Sequence, residues 1–153
     1  MKITQTFDPL LIARLNETVQ TLHAEQLPEV FKEYHFDEVA LELKHILSNG
    51  VHEIYVAEEH GKIIGYVWVE VIHKQGNAFK KPSRSLYVHQ LAVLHANQRS
   101  GCGTYLMEKV VERANALGIH AIELDYWSMN SGAKIFYEKQ GFVLQREYVK
   151  KMI

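Results

Sequence analysis

The stretch from Ser85 to Ala114, SLYVHQLAVLHANQRSGCGTYLMEKVVERA, changes its hydrophobic period once, and that change constrains the fold more than any other feature of the chain. Up to Val93 the residues are β-branched and aromatic, the composition of a strand. After Gly103 the apolar residues Leu106, Met107, Val110, Val111, Ala114 and Leu117 recur at helical spacing, with Glu108, Lys109, Glu112 and Arg113 on the other face. A strand therefore feeds a helix through a polar loop that carries two glycines, Gly101 and Gly103. Glycine costs roughly 0.5–1 kcal/mol relative to alanine in regular structure, so bare backbone at the mouth of a helix needs another reason.

The rest of the chain supplies elements of the same kinds. Lys2–Phe7 alternates as a short strand, and Asp8-Pro9 caps a helix that runs to about His23 with Leu11, Leu15, Val19 and Leu22 on one face. Pro28 interrupts; a second helix is expected after a cap at Asp37, with Val39, Leu43, Ile46 and Leu47 inward and Asn49-Gly50 as its stop. Glu53 to His73 reads as a hairpin split at Glu59-His60-Gly61, with Gly65 marking a bulge or a close backbone approach. Ile119–Trp127 reads as a further strand, the stretch after Asn130 as a short capped helix, and FVLQREYVKKM as a last strand. The order β-α-α-β-β-β-α-β-α-β over residues 1–153 predicts one domain of mixed α/β class.

Composition excludes several function classes. With 17 basic against 18 acidic side chains and 47% hydrophobic residues, the chain carries no electrostatic preference for nucleic acid or an anionic membrane. Neither is expected as a partner. The single cysteine, Cys102, allows no internal disulfide, and neither a signal-like apolar run nor a ~20-residue membrane span is present, so a cytoplasmic location is expected. Nine histidines form no H-E-x-x-H or other ligand-spaced motif, and no metal is assigned. Lys80-Lys81 and the basic residues of REYVKKM read as solvated edges.

A helix N-terminus presents unpaired N–H groups and the positive end of the peptide dipole, a natural seat for phosphate. The Walker pattern G-x-x-x-x-G-K-[ST] is absent. A dinucleotide fingerprint gains Asp125 at about 20 residues downstream, yet Leu106 occupies its third glycine position and the loop after Val93 is too long. LAVLHANQRSGCG instead resembles the strand end and [RQ]-x-x-G-x-[GA] motif of the GCN5-related N-acetyltransferase superfamily, with Gln98, Gly101 and Gly103 in the defining places. NSGAKIFYEKQGF, Asn130 to Phe142, resembles the N-x-x-A-x-x-[FL]-Y-x-x-x-G-F block of the same superfamily, in the right order and spacing.

That resemblance implies a sheet whose fourth and fifth strands splay apart to admit the pantetheine arm of acetyl-CoA, the expected cosubstrate. It implies backbone contacts from Leu91, Ala92 and Val93, a pyrophosphate seat made by Gln98, Arg99, Ser100, Gly101, Cys102, Gly103 and Thr104, and coenzyme contacts from Asn130 and Tyr137. Tyr137 stands at the position that often protonates the leaving thiolate. Many members carry a carboxylate base on the fourth strand, where this chain has His89-Gln90; histidine is a side-chain type suited to proton transfer near working pH, and His89 is the candidate base. Strict alternation places Tyr87, His89, Leu91 and Val93 on one face unless a bulge near Leu91 shifts the parity. Cys102 reads as filler, since no base accompanies it.

The implied activity is transfer of acetyl from acetyl-CoA to a primary amine by direct attack in a ternary complex; a non-catalytic acyl-CoA-binding sensor of the same fold is the alternative. Glu25, Glu29, Glu33, Glu38 and His35, among Phe31, Tyr34 and Phe36, are expected to wall the acceptor site with the loop from Lys74 to Arg84, which leans toward a small cationic amine. A monomer and a homodimer are both compatible with the sequence.

Overall fold

The computed structural model covers Met1–Ile153 and contains one five-stranded sheet flanked by four helices. The strands β1 (Lys2–Thr6), β2 (His52–Glu59), β3 (Lys62–Lys74), β4 (Ser83–Val93) and β5 (Ile122–Leu124) lie in that spatial order, antiparallel except for the parallel β4–β5 pair. The helices α1 (Pro9–Gln26) and α2 (Phe36–Ser48) cover one face, and α3 (Cys102–Ala116) and α4 (Ser131–Lys139) the other. None of the helices is long and apolar enough to cross a membrane.

Local chemistry explains most boundaries. Asp8 Oδ1 accepts the N–H groups of Leu10 and Leu11 at 2.9 and 3.2 Å, fixing the start of α1 behind Pro9. The α1 face turned to the sheet is Ile12, Ala13 and Asn16, rotated from the Leu11–Leu15–Val19 stripe. Asn16 can be buried there because its amide donates to the Tyr66 hydroxyl (3.2 Å) and to Gln90 Oε1 (3.1 Å). The helix α2 begins at Phe36, one residue before the expected cap. His60 and Gly61 both take positive φ, as a tight hairpin between β2 and β3 requires. Gly65 meets both of its expectations. The β2–β3 register shifts beside it, and a Cβ there would fall 2.7 Å from the Ala92 carbonyl oxygen on β4.

Leu106, Met107 and Val110 of α3 are fully buried against Val67, Val69, Leu86 and Val88, each such burial contributing about 1.5–3 kcal/mol. The expected strand at Ile119–Trp127 contracts to Ile122–Leu124, and the expected last strand does not form. Residues 143–153 take no regular secondary structure and are exposed, and their backbone bonds to no other backbone group. Strand-like composition is not enough where no edge of the same chain is met.

One ion pair ties α3 to the sheet: Arg113 grips Glu53 through contacts of 2.7, 2.9 and 3.1 Å, and Tyr55 donates to the same carboxylate. Burial pushes the Glu53 pKa up, but the bonds from Arg113 and Tyr55 outweigh it and hold the group below its ordinary value. The pair's stabilisation is therefore complete above the ordinary carboxylate pKa and is lost as pH falls through the depressed one. Arg113→Met should cost about 2 kcal/mol, lowering Tm by roughly 4–8 °C at neutral pH, and the deficit should shrink in acid. Thermal unfolding of both proteins between neutral and acidic pH checks this; a deficit independent of pH would assign the loss to packing.

Candidate active site

The sheet opens where β5 stops. Pairing between β4 and β5 covers only Leu86–Val88 against Ile122–Leu124, while β4 continues to Val93. The Leu94 N–H bonds to the Ile64 carbonyl of β3 at 2.8 Å, so by alternation the backbone groups of Leu91 and Val93 point the other way, into the gap. The side chains of Leu91 and Val93 pack on the α3 side, whereas Ala92 is buried on the α1 side beside Tyr66.

Below the gap lies the start of α3. A single 3₁₀ turn, His95–Asn97, leads into exposed Gln98, Arg99 and Ser100. Arg99 and Gly101 take φ of +66° and +87°, turning the chain so that Gly101 caps the helix without a side chain. The N–H groups of Gly101, Gly103 and Thr104 meet no protein acceptor, and that of Cys102 reaches Ser100 Oγ only at 3.4 Å. Several donors thus converge at the positive end of the helix dipole. The two glycines do different jobs. Gly101 supplies the left-handed turn, while a Cβ on Gly103 would lie 3.2 Å from the Phe136 ring, so Gly103 lets α4 pack on α3. Cys102 is buried, and burial together with Glu59 pushes its thiol pKa up, which leaves it protonated and inert.

On the other face of β4 a bulge rearranges the side chains. Trp68 pairs with Gln90 and Val69 with Val88, so His89 is the extra residue. The parity therefore changes two residues before Leu91. Tyr87, His89, Gln90 and Ala92 face the α1–α2 side, which corrects the strict alternation that grouped His89 with Leu91 and Val93. His89 stacks on Trp68 with ring centroids 4.6 Å apart, and its Nε2 lies 2.6 Å from Glu70 Oε2. Glu70 sits on β3 opposite Tyr87 and is the residue that sequence reading missed. Its signal was the β3–β4 hairpin register, which a single chain of residue types does not disclose.

Around this pair the polar groups are matched. The Trp68 indole N–H donates to His52 Nδ1 at 3.1 Å, and burial lowers the His52 pKa more than Glu70 raises it, so its ring is neutral. The Tyr87 hydroxyl donates to Asp125 at 2.6 Å, and Ser85 to Glu123 at 2.7 Å. Burial, then Asp125, holds the Tyr87 hydroxyl protonated. His52, Glu70 and His89 bring three donor atoms within 4.8 Å of one another, a grouping no sequence spacing announced; the bonds just described already engage them.

Tyr137 lies on the α3 side of the gap, buried among Tyr126, Phe136 and Phe142. Its hydroxyl has no protein partner yet is not sealed from solvent, and burial pushes its pKa up to about 12, so it holds a proton at neutral pH. Asn130 caps α4, its Oδ1 accepting the Ala133 N–H at 3.0 Å. Of the residues expected to wall an acceptor site, Glu38 pairs with Lys32 at 2.8 Å in solvent, Tyr34 bonds to the Ala13 carbonyl, and Phe36 packs over Arg14. Phe31 does reach across, meeting Trp127 edge-on at 5.6 Å. The carboxylates on the open face are Glu70, Glu123 and Asp125, from the sheet itself.

The model of the acetyltransferase (GNAT) family matches residues 16–142. The chain belongs to this family. Among solved structures, a tetramutant of the BH1408 protein from Bacillus halodurans superposes with a TM-score of 0.92 at 21% identity, over 100% of both chains. The aminoglycoside antibiotic 6'-N-acetyltransferase AAC(6')-IG from Acinetobacter haemolyticus gives 0.73 at 17% identity, over 100% of this chain and 99% of that one. A possible acetyltransferase from Clostridium difficile 630 gives 0.73 at 19%, over 99% and 97%. The mixed α/β GNAT fold expected from the sequence is therefore the one present, save for its last strand.

The division of labour between the glycines is testable. Gly101→Asn, a residue that tolerates positive φ, should shift stability by less than about 0.5 kcal/mol. Gly103→Val should cost about 1–3 kcal/mol by overpacking against Phe136, and Phe136→Leu should restore part of it. Chemical denaturation of the two single variants and the double variant decides; equal costs for both glycines would refute the assignment.

Proposed function

We propose that the protein is an N-acetyltransferase that uses acetyl-CoA and acetylates a primary amine in a ternary complex. What supports the reading is the His89–Glu70 pair on β3 and β4 just where pairing with β5 ends, with Tyr137 in the apolar layer on the other side of the sheet. Bound acetyl-CoA would supply an activated thioester. The free N–H groups at the start of α3 suit its pyrophosphate, and the unpaired backbone of Leu91 and Val93 suits its amide-bearing arm. A donor is also needed for the carbonyl oxygen as charge develops there, a role the unpaired backbone N–H of Val93 would suit.

His89 takes the proton that an ammonium acceptor must shed before it can attack, and Glu70 holds the ring's orientation and stabilises the imidazolium that results. Tyr137 keeps its proton until the thiolate departs, then donates it. A site without a carboxylate would favour the alternative sensor role; here Glu70, delivered from β3, lies at hydrogen-bond distance from His89. Glu70, Glu123 and Asp125 on the open face favour a cationic amine. The amino acceptor implied by the name of the AAC(6')-IG neighbour is consistent with that class.

Release of free thiol from acetyl-CoA against a panel of amines and peptides tests the reading. Turnover with small amines is expected; coenzyme binding without turnover on any acceptor would favour the sensor, and turnover on peptides alone would overturn the small-amine class. Gly101→Val should raise the Kd for coenzyme A at least tenfold, about 1.4 kcal/mol. His89→Ala should depress kcat most at low pH, where an unassisted acceptor is protonated. Glu70→Gln should lower kcat with little change in KM for acetyl-CoA, and Glu70→Asp should recover part of it. Tyr137→Phe should lower kcat at least tenfold at unchanged coenzyme affinity, the low end of general-acid assistance of about 10²–10⁴. A Phe variant equal to the parent where chemistry is rate-limiting would make Tyr137 a packing residue.

A further inference from the structure

Three neighbouring strands each send one ligating side chain to the same spot on the α1–α2 side of the sheet. His52 of β2 and Glu70 of β3 are direct cross-strand partners, and the β4 bulge brings His89 to the other flank of Glu70. Glu70 Oε2 lies 2.6 Å from His89 Nε2 and 4.0 Å from His52 Nδ1, and the three atoms fall within 4.8 Å of one another. No other set of histidine, cysteine, aspartate and glutamate side chains in the chain gathers three ligand atoms so closely.

The donor set selects a kind of ligand. Two imidazole nitrogens and one carboxylate oxygen suit Zn²⁺ and its neighbours among the divalent transition metals, whereas Mg²⁺ and Ca²⁺ take oxygen. Ligand atoms around a tetrahedral Zn²⁺ lie about 3.4 Å from one another. The separations here bracket that value, so the His89–Glu70 contact must open and the His52–Glu70 contact close, each by less than about 1 Å. The nitrogens can present lone pairs. His52 Nδ1 accepts the Trp68 indole N–H, which puts that ring's proton on Nε2, and His89 needs only the tautomer protonated at Nδ1. Trp68 packs on both rings, stacked on His89 at 4.6 Å and edge-on to His52 at 5.6 Å. The His52, Glu70 and His89 side chains are 11%, 26% and 29% exposed, open enough for an ion to enter and for water to complete its coordination.

We propose that His52, Glu70 and His89 bind one divalent transition-metal ion of the Zn²⁺ class through two imidazoles and a carboxylate. Occupancy ties up the His89 lone pair, so the ion inhibits acetyl transfer. That consequence rests on the part given to His89 above; the site itself does not.

Calorimetric titration of the untagged full chain with zinc chloride should show one equivalent bound in the micromolar range or tighter, and none of Mg²⁺. No zinc binding up to millimolar concentration would overturn the site. Partners outside a metal's ligand shell are already worth about 10–100-fold in affinity, so loss of a ligand should raise Kd at least tenfold. His52→Gln, which keeps an acceptor for the Trp68 N–H, and Glu70→Gln should both do so; unchanged affinity in both, folded by circular dichroism, refutes the assignment. A test that leaves the ligands intact uses the chain's two tryptophans. In Trp127→Phe the remaining indole, Trp68, should change its fluorescence saturably with one equivalent of zinc, and a flat response would place the ion elsewhere. Acetylated amine, measured directly because thiols bind zinc themselves, should form more slowly with zinc present. His52→Gln, compared with its own metal-free rate, should lose most of that inhibition. Zinc bound at this site without inhibition would support the site and overturn the role of His89 in proton transfer.

Discussion

One extra residue in β4 organises the site. Because His89 is inserted into the β3–β4 ladder beside the point where β5 stops pairing, two things happen at the same level of the sheet. Pairing with β5 ends at Val88, leaving the backbone of Leu91 and Val93 without a neighbour on that side. The inserted residue puts both His89 and Gln90 on the face that carries Trp68 and Glu70. With Leu86 and Val88 on the α3 side, an unbroken ladder would have turned Leu91 and Val93 to the α1–α2 face; the extra residue returns them to the apolar layer under α3.

The bulge is held by a small buried polar network. Gln90, next to the bulge, accepts from the Tyr66 hydroxyl at 2.6 Å and from Asn16 at 3.1 Å, joining β4, β3 and α1. Tyr66 is fully buried, its pKa pushed up to about 12 by burial, so its hydroxyl remains a donor. Such a network adds less to stability than an apolar core of equal volume, but it accepts only one arrangement. Slipping β4 by one residue would strand the buried Asn16 and Tyr66 and half-buried Gln90. The same demand rotates α1 so that Asn16, rather than the leucine stripe, meets the sheet.

The opposite face obeys simpler rules. Helix α3 docks through Leu106, Met107 and Val110, and the Glu53–Arg113 pair fixes its azimuth. Its first turn is then presented under the gap. Gly101 and Gly103 looked like one device in the sequence, bare backbone for a ligand, and are two: a left-handed turn and a helix–helix contact with Phe136. Spacing could not separate them, because the second depends on where α4 comes to rest.

What the sequence determined by itself was whatever rests on neighbours along the chain: the Asp8 cap, the His60-Gly61 turn, the period change at Gly103, the Asn130 cap, and through the two motifs the family. Tyr137 and the α3 loop were legible for the same reason, being carried by local patterns. Glu70 was not, nor His52, nor the true face of His89, since each acquires meaning only from cross-strand register, and register is set by packing between residues far apart in sequence. The last strand failed from the opposite side. FVLQREYVKKM has the side chains of a strand, but a strand exists only where a partner's N–H and C=O groups meet it, and within one chain none do. Local pattern decides which conformations a segment favours; tertiary structure alone decides which hydrogen bonds are there to be made.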